Sequence, residues 1–481
     1  MWQRTLLAVC YIDRLPNEIL WKILLFYGYT TTVAGFQGYY GTRSRINTNR
    51  IILVNKHWQA IALAIPSLWS KIYVRVASFS HGPSLEALVD RRIELSKDAP
   101  LEICVLFSER TVRWSGDNYE EYSDDSNEDS IEGSEKPQAA LPVLAKLFQH
   151  AHRWKSAVLQ LPASRELDHT KFPDTFPLLQ ELEMRCLPRN DVGTDHCPAF
   201  YAPLLRKFTM EKFSFGGNFG SSKLSEITLT WVLPDTVASF LEHASSDCNA
   251  QVFTVFTPHT DYGSTTVTSH LKALSVIQID DDKYYDVHGE LFEYLTLPNV
   301  EKLVFIDQRT GRADYVKPHE SPSVLFPVEG LLSMLARSEM SLIKLSHLVL
   351  SGHFISDQNL LKILTKLPAL TFFAFEETCL LNKNSCALTA HFFQGLLSAD
   401  VVPILTQLEL IFYDGTVPVD DLALFLESHR PSLEGKSSTR LLPLERVRFG
   451  ISSPQTCMAL MDRLSELCSG GLVVKVSKPW F

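Results

Sequence analysis

From about residue 141 onward, apolar residues recur in one six-residue figure: apolar, two variable, apolar, one variable, apolar. It occurs at Leu179-Leu182-Met184, Leu205-Phe208-Met210, Leu224-Ile227-Leu229 and Val300-Leu303-Phe305. It returns at Leu345-Leu348-Leu350, Leu370-Phe373-Phe375, Leu405-Leu408-Leu410 and Leu444-Val447-Phe449, with a weaker copy at Leu271-Leu274-Val276. The last two apolar positions are two residues apart, so they share one face of a strand while the residues between them face away. Helical periodicity fills the intervals at Gly330–Arg337, Asp357–Leu367, Val419–Ser428 and Met458–Cys468. A proline commonly precedes the strand (Pro177, Pro203, Pro298, Pro368, Pro403, Pro443), where it ends the helix and biases the chain towards extension.

The figure starts at 179, 205, 224, 271, 300, 345, 370, 405 and 444. Several intervals fall in the roughly 20–29-residue period of leucine-rich repeats, and the longer ones leave room for enlarged or degenerate units. One unit cannot bury its apolar face alone, so neighbours stack, which predicts an α/β solenoid with a curved parallel sheet. The competing fold is a doubly wound α/β domain. It calls for longer, wholly apolar strands and a Gly-rich phosphate turn, and Gly216-Gly217 with Gly220 does not have the G-x-G-x-x-G spacing. Regular leucine-rich repeats carry Asn or Cys three residues past the last strand position. Here those positions are Leu187, Phe213, Val232, Gln308, His353, Thr378, Tyr413 and Ser452, so an irregular array is expected.

The amino-terminal region, residues 11–75, has a different texture. Asp13-Arg14-Leu15-Pro16-Asn17-Glu18 opens a helix in which Ile19, Leu20, Ile23 and Leu24 recur at helical spacing. Pro16 suits a first helical position, and Glu18 lies near the positive end of the helix dipole. After a Gly/Tyr/Thr-rich stretch, Gly28–Asn47, comes a second helical pattern with Val54, Trp58, Ile61 and Ala62. It should stop before Pro66-Ser67-Leu68-Trp69. Next follow an amphipathic helix over Ser84–Ser96, an apolar strand over Leu101–Phe107, and a segment, Asp117–Glu135, with nine acids and no Lys or Arg. So acidic a segment lacks the apolar surface to offset its ordering entropy, and a disordered loop is expected.

Leu15-Pro16-x-Glu18-Ile19-Leu20, Val54-x-x-x-Trp58 and Pro66-x-Leu68-Trp69, in that order, resemble the F-box of large fungal F-box families. The likeness covers roughly residues 12–72, and Ser84–Phe107 is similar to the segment that follows the F-box in those proteins. The resemblance implies an F-box-like helical domain at 11–75 and a leucine-rich-repeat-like solenoid at 76–481. It implies the substrate-recognition subunit of a Skp–cullin–F-box ubiquitin ligase, in which the F-box docks on a Skp-type adaptor within the cullin complex and the repeats hold a protein substrate. Carried over by position, Leu15, Pro16, Ile19, Leu20 and Val54 are the adaptor-contact candidates, with Trp58 and Trp69 packing inside. The alternative is a non-catalytic interaction scaffold whose F-box-like helices only cap the solenoid.

Composition narrows the remaining chemistry. The formal net charge of the 481 residues is −10, and nine of those charges sit in the acidic segment, so the rest is nearly neutral and no nucleic-acid partner is expected. The nine cysteines are dispersed, with no Cys-x-x-Cys pair, which fits a reducing compartment, cytoplasmic or nuclear. No apolar run reaches the roughly 18–20 residues that span a bilayer, so no membrane partner is expected. No nucleophile elbow, phosphate-binding lysine loop or His-Glu-x-x-His helix is present, and a protein without catalytic residues, cofactor or metal is expected. Cys186 with Asp195-His196-Cys197, Cys379 with Cys386, and Asp280-Asp281-Asp282 match no strong metal pattern. Ser123, Ser126 and Ser130, set among acids, are possible phosphorylation sites. Of the aromatics near strand ends (Phe213, Phe215, Trp231, Tyr284, Tyr285, Phe372, Phe412, Tyr413), those facing outward are expected to serve as contact anchors.

Overall fold

The structure is a computed structural model. It describes residues 15–30, 56–76, 82–107, 141–161, 172–186, 196–197, 199–211, 214–215, 223–232, 237, 240–242, 244–255, 266–278, 287–307, 326–338, 342–353, 355–377, 387–398, 401–412, 417–429, 442–451, 454–468 and 473–477. The acidic segment 117–135, the Gly216–Gly220 cluster, Asp280–Asp282, Cys379 and Cys386 lie outside these residues. The fold is mixed α/β, and its main feature is a large parallel sheet of 14 strands. Two compact units divide the chain: residues 1–187 with 200–205, and residues 188–199 with 206–481.

The first unit opens with α1 (Asn17–Thr30), α2 (Lys56–Leu63) and the single turn α3 (Pro66–Trp69). The carbonyl of Pro16 accepts the amides of Ile19 and Leu20, so the proline stands at the lip of α1. Pro66 starts α3 after Ile65 in extended conformation, as its fixed φ favours. Strand β1 (Lys71–Val76) follows, then α4 (Gly82–Ser96), β2 (Leu101–Phe107), α5 (Leu141–Phe148), β3 (Trp154–Leu161) and β4 (Glu181–Cys186). The stretch 11–75, read from sequence as helical, therefore ends in a strand, and it belongs to the same compact unit as β2–β4.

β1 to β4 pair in chain order, all parallel. The register lines up Ile72, Ile103, Ala157 and Leu182 in one buried row and Val74, Val105, Leu159 and Met184 in the next. Trp154 packs in this core with Phe148, Phe172, Phe176 and Phe200, ring centroids 5.2 to 6.0 Å apart. The buried Arg153 guanidinium donates to Ser96 Oγ at 2.7 Å and to the Ala99 carbonyl at 3.0 Å, which fastens the turn between α4 and β2.

Among the described residues the second unit contributes ten strands to the large sheet: β5 (Lys207–Glu211), β6 (Glu226–Val232), β7 (Asn249–Val255), β8 (Ala273–Gln278), β9 (Lys302–Asp307), β10 (His347–Ser351), β11 (Phe372–Glu376), β12 (Gln407–Phe412), β13 (Arg446–Ile451) and β14 (Val473–Ser477). Its helices are α6 (Val287–Tyr294), α7 (Val328–Arg337), α8 (Asp357–Thr365), α9 (Ala390–Leu396), α10 (Val419–Ser428) and α11 (Pro454–Cys468). From β6 onward each of these strands pairs in parallel with the one before it. The order never reverses, so within this unit there is no switch point of the doubly wound kind. All three apolar positions of each sequence figure are buried, and the register stacks them strand on strand: Leu303, Leu348, Phe373, Leu408 and Val447 form one continuous row. Helix side chains meet the same core; Phe292 of α6 packs edge-on against Phe305 of β9 at 5.1 Å.

The long interval between Leu224 and Leu271 contains β7, which the figure does not reveal. Its core positions are Ala250 and Val252, in register with Ile227 and Leu229, and a polar Asp247 stands where the first apolar residue belongs. The expected lack of an Asn or Cys ladder has a counterpart at the opposite end of the strands. Hydroxyls just ahead of β6, β10, β11 and β12 donate to the carbonyl one unit back: Ser225 to Arg206 at 3.1 Å, Ser346 to Glu301 at 3.2 Å, Thr371 to Ser346 at 3.1 Å and Thr406 to Thr371 at 3.3 Å. The backbone amides of the same residues join them at 2.8 to 3.0 Å. At the ends of the strands and just past them, buried Asp307, His353 and Glu377 take varied places, with Glu377 accepting the Leu388 amide at 2.8 Å. Gly352 has φ +76, and a Cβ there would lie 2.0 Å from the Asp307 carbonyl oxygen, so only glycine fits.

His429 closes α10 in a buried position, its Nδ1–H donating to the Phe425 carbonyl at 2.9 Å. Burial pushes its pKa below the ordinary imidazole value, partly opposed by that bond. The folded state thus holds His429 neutral, and the unfolded chain binds a proton that the folded one refuses once pH falls below about 6.5. Stability from this site is fully present above that pH and declines below it. Urea midpoints at pH 7.5 and 5.5 should therefore separate more for the natural protein than for His429→Leu. Equal separations would show that His429 is not the acid-sensitive group.

Candidate protein-binding surfaces

Two surfaces stand out: a helix with exposed apolar side chains, and a sheet face whose outward row is apolar and buried to half-buried at its middle. The first is α1. At 100° per residue, Leu20 and Leu24 fall on one face and both are buried. Leu24 joins Ala62, Ile65, Leu68 and Trp69 in a small core, with Trp58, Ile61 and Leu95 packed against it. Trp69 Nε1–H donates to the Ala62 carbonyl at 2.7 Å, and the Arg92 guanidinium stands 5.9 Å from the Trp69 ring. On one shoulder of the buried face stand Pro16, Ile19 and Ile23, with Ile19 41% and Ile23 43% exposed; on the other stands Trp21, 49% exposed.

Of the residues expected to meet an adaptor, the structure brings Pro16 and Ile19 together on this ridge and leaves Leu15 half-buried. Leu20 is 0% exposed. Val54 lies outside the described residues. Ile23 and Trp21 complete the apolar surface. Ile23 was legible as the i+4 partner of Ile19, whereas Trp21 breaks the periodicity and gave no signal.

The second surface is the strand face of the second unit opposite its core. Register sets side chains on it in rows. The central row, from β5 to β14, reads Thr209, Thr228, Gln251, Ser275, Val304, Val349, Ala374, Glu409, Arg448 and Lys475. It passes from neutral polar residues through apolar ones to charged ones. Beside it, Ile277 and Ile306 on one flank and the stacked pair His347–Phe372 on the other, 5.5 Å between ring centroids, broaden the apolar middle. Burial, with Lys302 in the adjacent strand, holds the His347 pKa below the ordinary imidazole range. The outward aromatic that sequence singled out is thus Phe372, whereas Phe412 is buried. The side chains of Phe213, Phe215, Trp231, Tyr284, Tyr285 and Tyr413 are outside the description.

Reactive chemistry is sparse among the described residues. No group of three or more His, Cys, Asp or Glu could hold a metal ion there, and no helix is long and apolar enough to cross a membrane. The Cys104 thiol, buried beside Glu183, is pushed up to about 12, as is the buried Cys248 thiol near Glu226. Both stay protonated at neutral pH and supply no thiolate. No protein-family model matches the chain, and no curated protein matches it.

Proposed function

We propose that this chain is a substrate receptor of a Skp–cullin–F-box ubiquitin ligase: α1 docks on a Skp-type adaptor and an irregular leucine-rich-repeat solenoid carries a protein substrate. The observation that carries the reading is the ridge of Pro16, Ile19 and Ile23, because the Leu-Pro-x-Glu helix start and an uncovered apolar surface coincide on one helix. Exposed aromatic and aliphatic anchors of this kind favour protein interfaces. The receptor acts by holding its partners, with the transfer chemistry supplied by the rest of the ligase.

The test is a titration of purified Skp-type adaptor against the full chain and against Ile19→Ala/Ile23→Ala. Both side chains are about half out in solvent, so the double variant should melt with the natural protein. Its affinity for adaptor should fall about tenfold or more, since 1.4 kcal/mol is tenfold and two central apolar anchors contribute at least that. If the natural protein fails to bind adaptor, the ligase reading is overturned and the helices are a cap on a non-catalytic scaffold.

A further inference from the structure

The sheet face of the second unit is graded, and the grading defines the chemistry of what lies on it. Across β9, β10 and β11 the central row is Val304, Val349 and Ala374, flanked by Ile306 and Phe372. Val304 is buried, and Val349, Ala374, Ile306 and Phe372 are half-buried; outward strand positions on a solvated face are ordinarily polar, so this apolar row fits a contact surface reached through its half-buried members. Across β13 and β14 the same face carries Arg446, Arg448 and Lys475, with Arg448 and Lys475 in register. The acids on this end of the face are Glu409, in register with Arg448, and Glu376, which accepts a hydrogen bond from Ser351. Glu445 is exposed just ahead of β13. Arg446 and Lys475 are both exposed.

We propose that this face holds an extended polypeptide segment lying across the strands, with its apolar half over β9–β11 and its acidic half over β12–β14. The proposal rests on the reading that the repeat-like sheet carries a protein partner, and adds what that partner must present. Strands lie about 4.8 Å apart, so the five steps from β9 to β14 span about 24 Å, which about seven extended residues cover. A polypeptide fits better than a nucleic acid: the cations are few and they border apolar side chains. Self-pairing along the open side of β14 is disfavoured because a symmetric antiparallel match centred on Lys475 sets like charges opposite each other.

The experiment measures fluorescence anisotropy of two labelled synthetic peptides on the full chain, without adaptor. One has about four alternating Leu and Val residues followed by about four Glu; the other carries Lys in place of Glu. The natural protein should bind the Glu peptide at least about tenfold tighter, more weakly as salt rises. Arg446→Glu/Lys475→Glu should reverse the preference, and Val349→Asp should weaken the Glu peptide about tenfold. A reversal of preference cannot come from misfolding, so it keeps the result interpretable. Equal binding of the two peptides, no binding, or tighter binding of a labelled oligothymidylate would each overturn the assignment. Since adaptor is absent, failure here leaves the docking of α1 standing, and failure of docking leaves this result standing.

Discussion

Leu348→Ala should lower the stability of the second unit by about 2–5 kcal/mol, through lost burial plus the cavity left behind. Leu348 is fully buried and sits in register between Leu303 and Phe373, so neighbours on both sides lose a packing partner at once. Because the chain has two compact units, a single global melting point is a poor probe. Hydrogen exchange of the β9–β11 amides against urea reads the unit itself. Val349→Ala, one residue on but facing away from the core, is the control, with an expected cost of about 1 kcal/mol. If the two substitutions cost the same, the inward and outward faces have been exchanged.

Trp69→Ala should cost about 3–5 kcal/mol in the first unit. The indole is almost wholly enclosed by Leu24, Ala62, Ile65 and Leu68, and its removal takes the Nε1–H donor from the Ala62 carbonyl, which keeps the Ile65 amide at 3.3 Å. It also removes the surface beneath Arg92, whose guanidinium meanwhile donates to the Lys71 carbonyl at 3.0 Å at the start of β1. The loss should show as faster exchange of amides between Lys56 and Ser96. Trp69→Phe should keep most of the packing and lose the hydrogen bond, for a smaller cost of about 1–2 kcal/mol. Unchanged exchange in Trp69→Ala would mean that α2 and α3 are held by something other than this small core.

The fold was legible where the chain repeats one solution with large residues. Leu345-Leu348-Leu350 and Leu405-Leu408-Leu410 announce a strand because each apolar position is filled by a residue with no other good place to go. β7 escaped because stacking between Ile227 and Leu274 leaves room for Ala250, whose small side chain gives no periodic signal. β1 escaped for a different reason: Pro66-Ser67-Leu68-Trp69 reads as the close of a helical region, yet the next residue but one already begins the sheet. The candidate sites were legible by composition and not by direction. Apolar periodicity marks Ile19, Leu20, Ile23 and Leu24 equally, and only packing against Ala62 and Trp69 separates the buried face from the exposed ridge. The graded row from Thr209 to Lys475 takes one residue from each of ten strands, so no sequence window contains it.

The hydroxyls ahead of β6, β10, β11 and β12 decide where this chain can change length. Each ties the start of a strand to the carbonyl of the preceding unit, and an added residue there would shift every inward side chain to the outward face. Among the described residues no hydroxyl tie of this kind recurs at the far ends of the strands, and most of the long connections follow those ends: between β2 and α5, β9 and α7, and β11 and α9. The acidic segment 117–135 lies in the first of these. Growth by insertion is therefore one-sided, confined to the side where a strand has already finished its pairing. A loop lengthened there, or replaced by a foreign one, leaves the stacking of every later unit in phase.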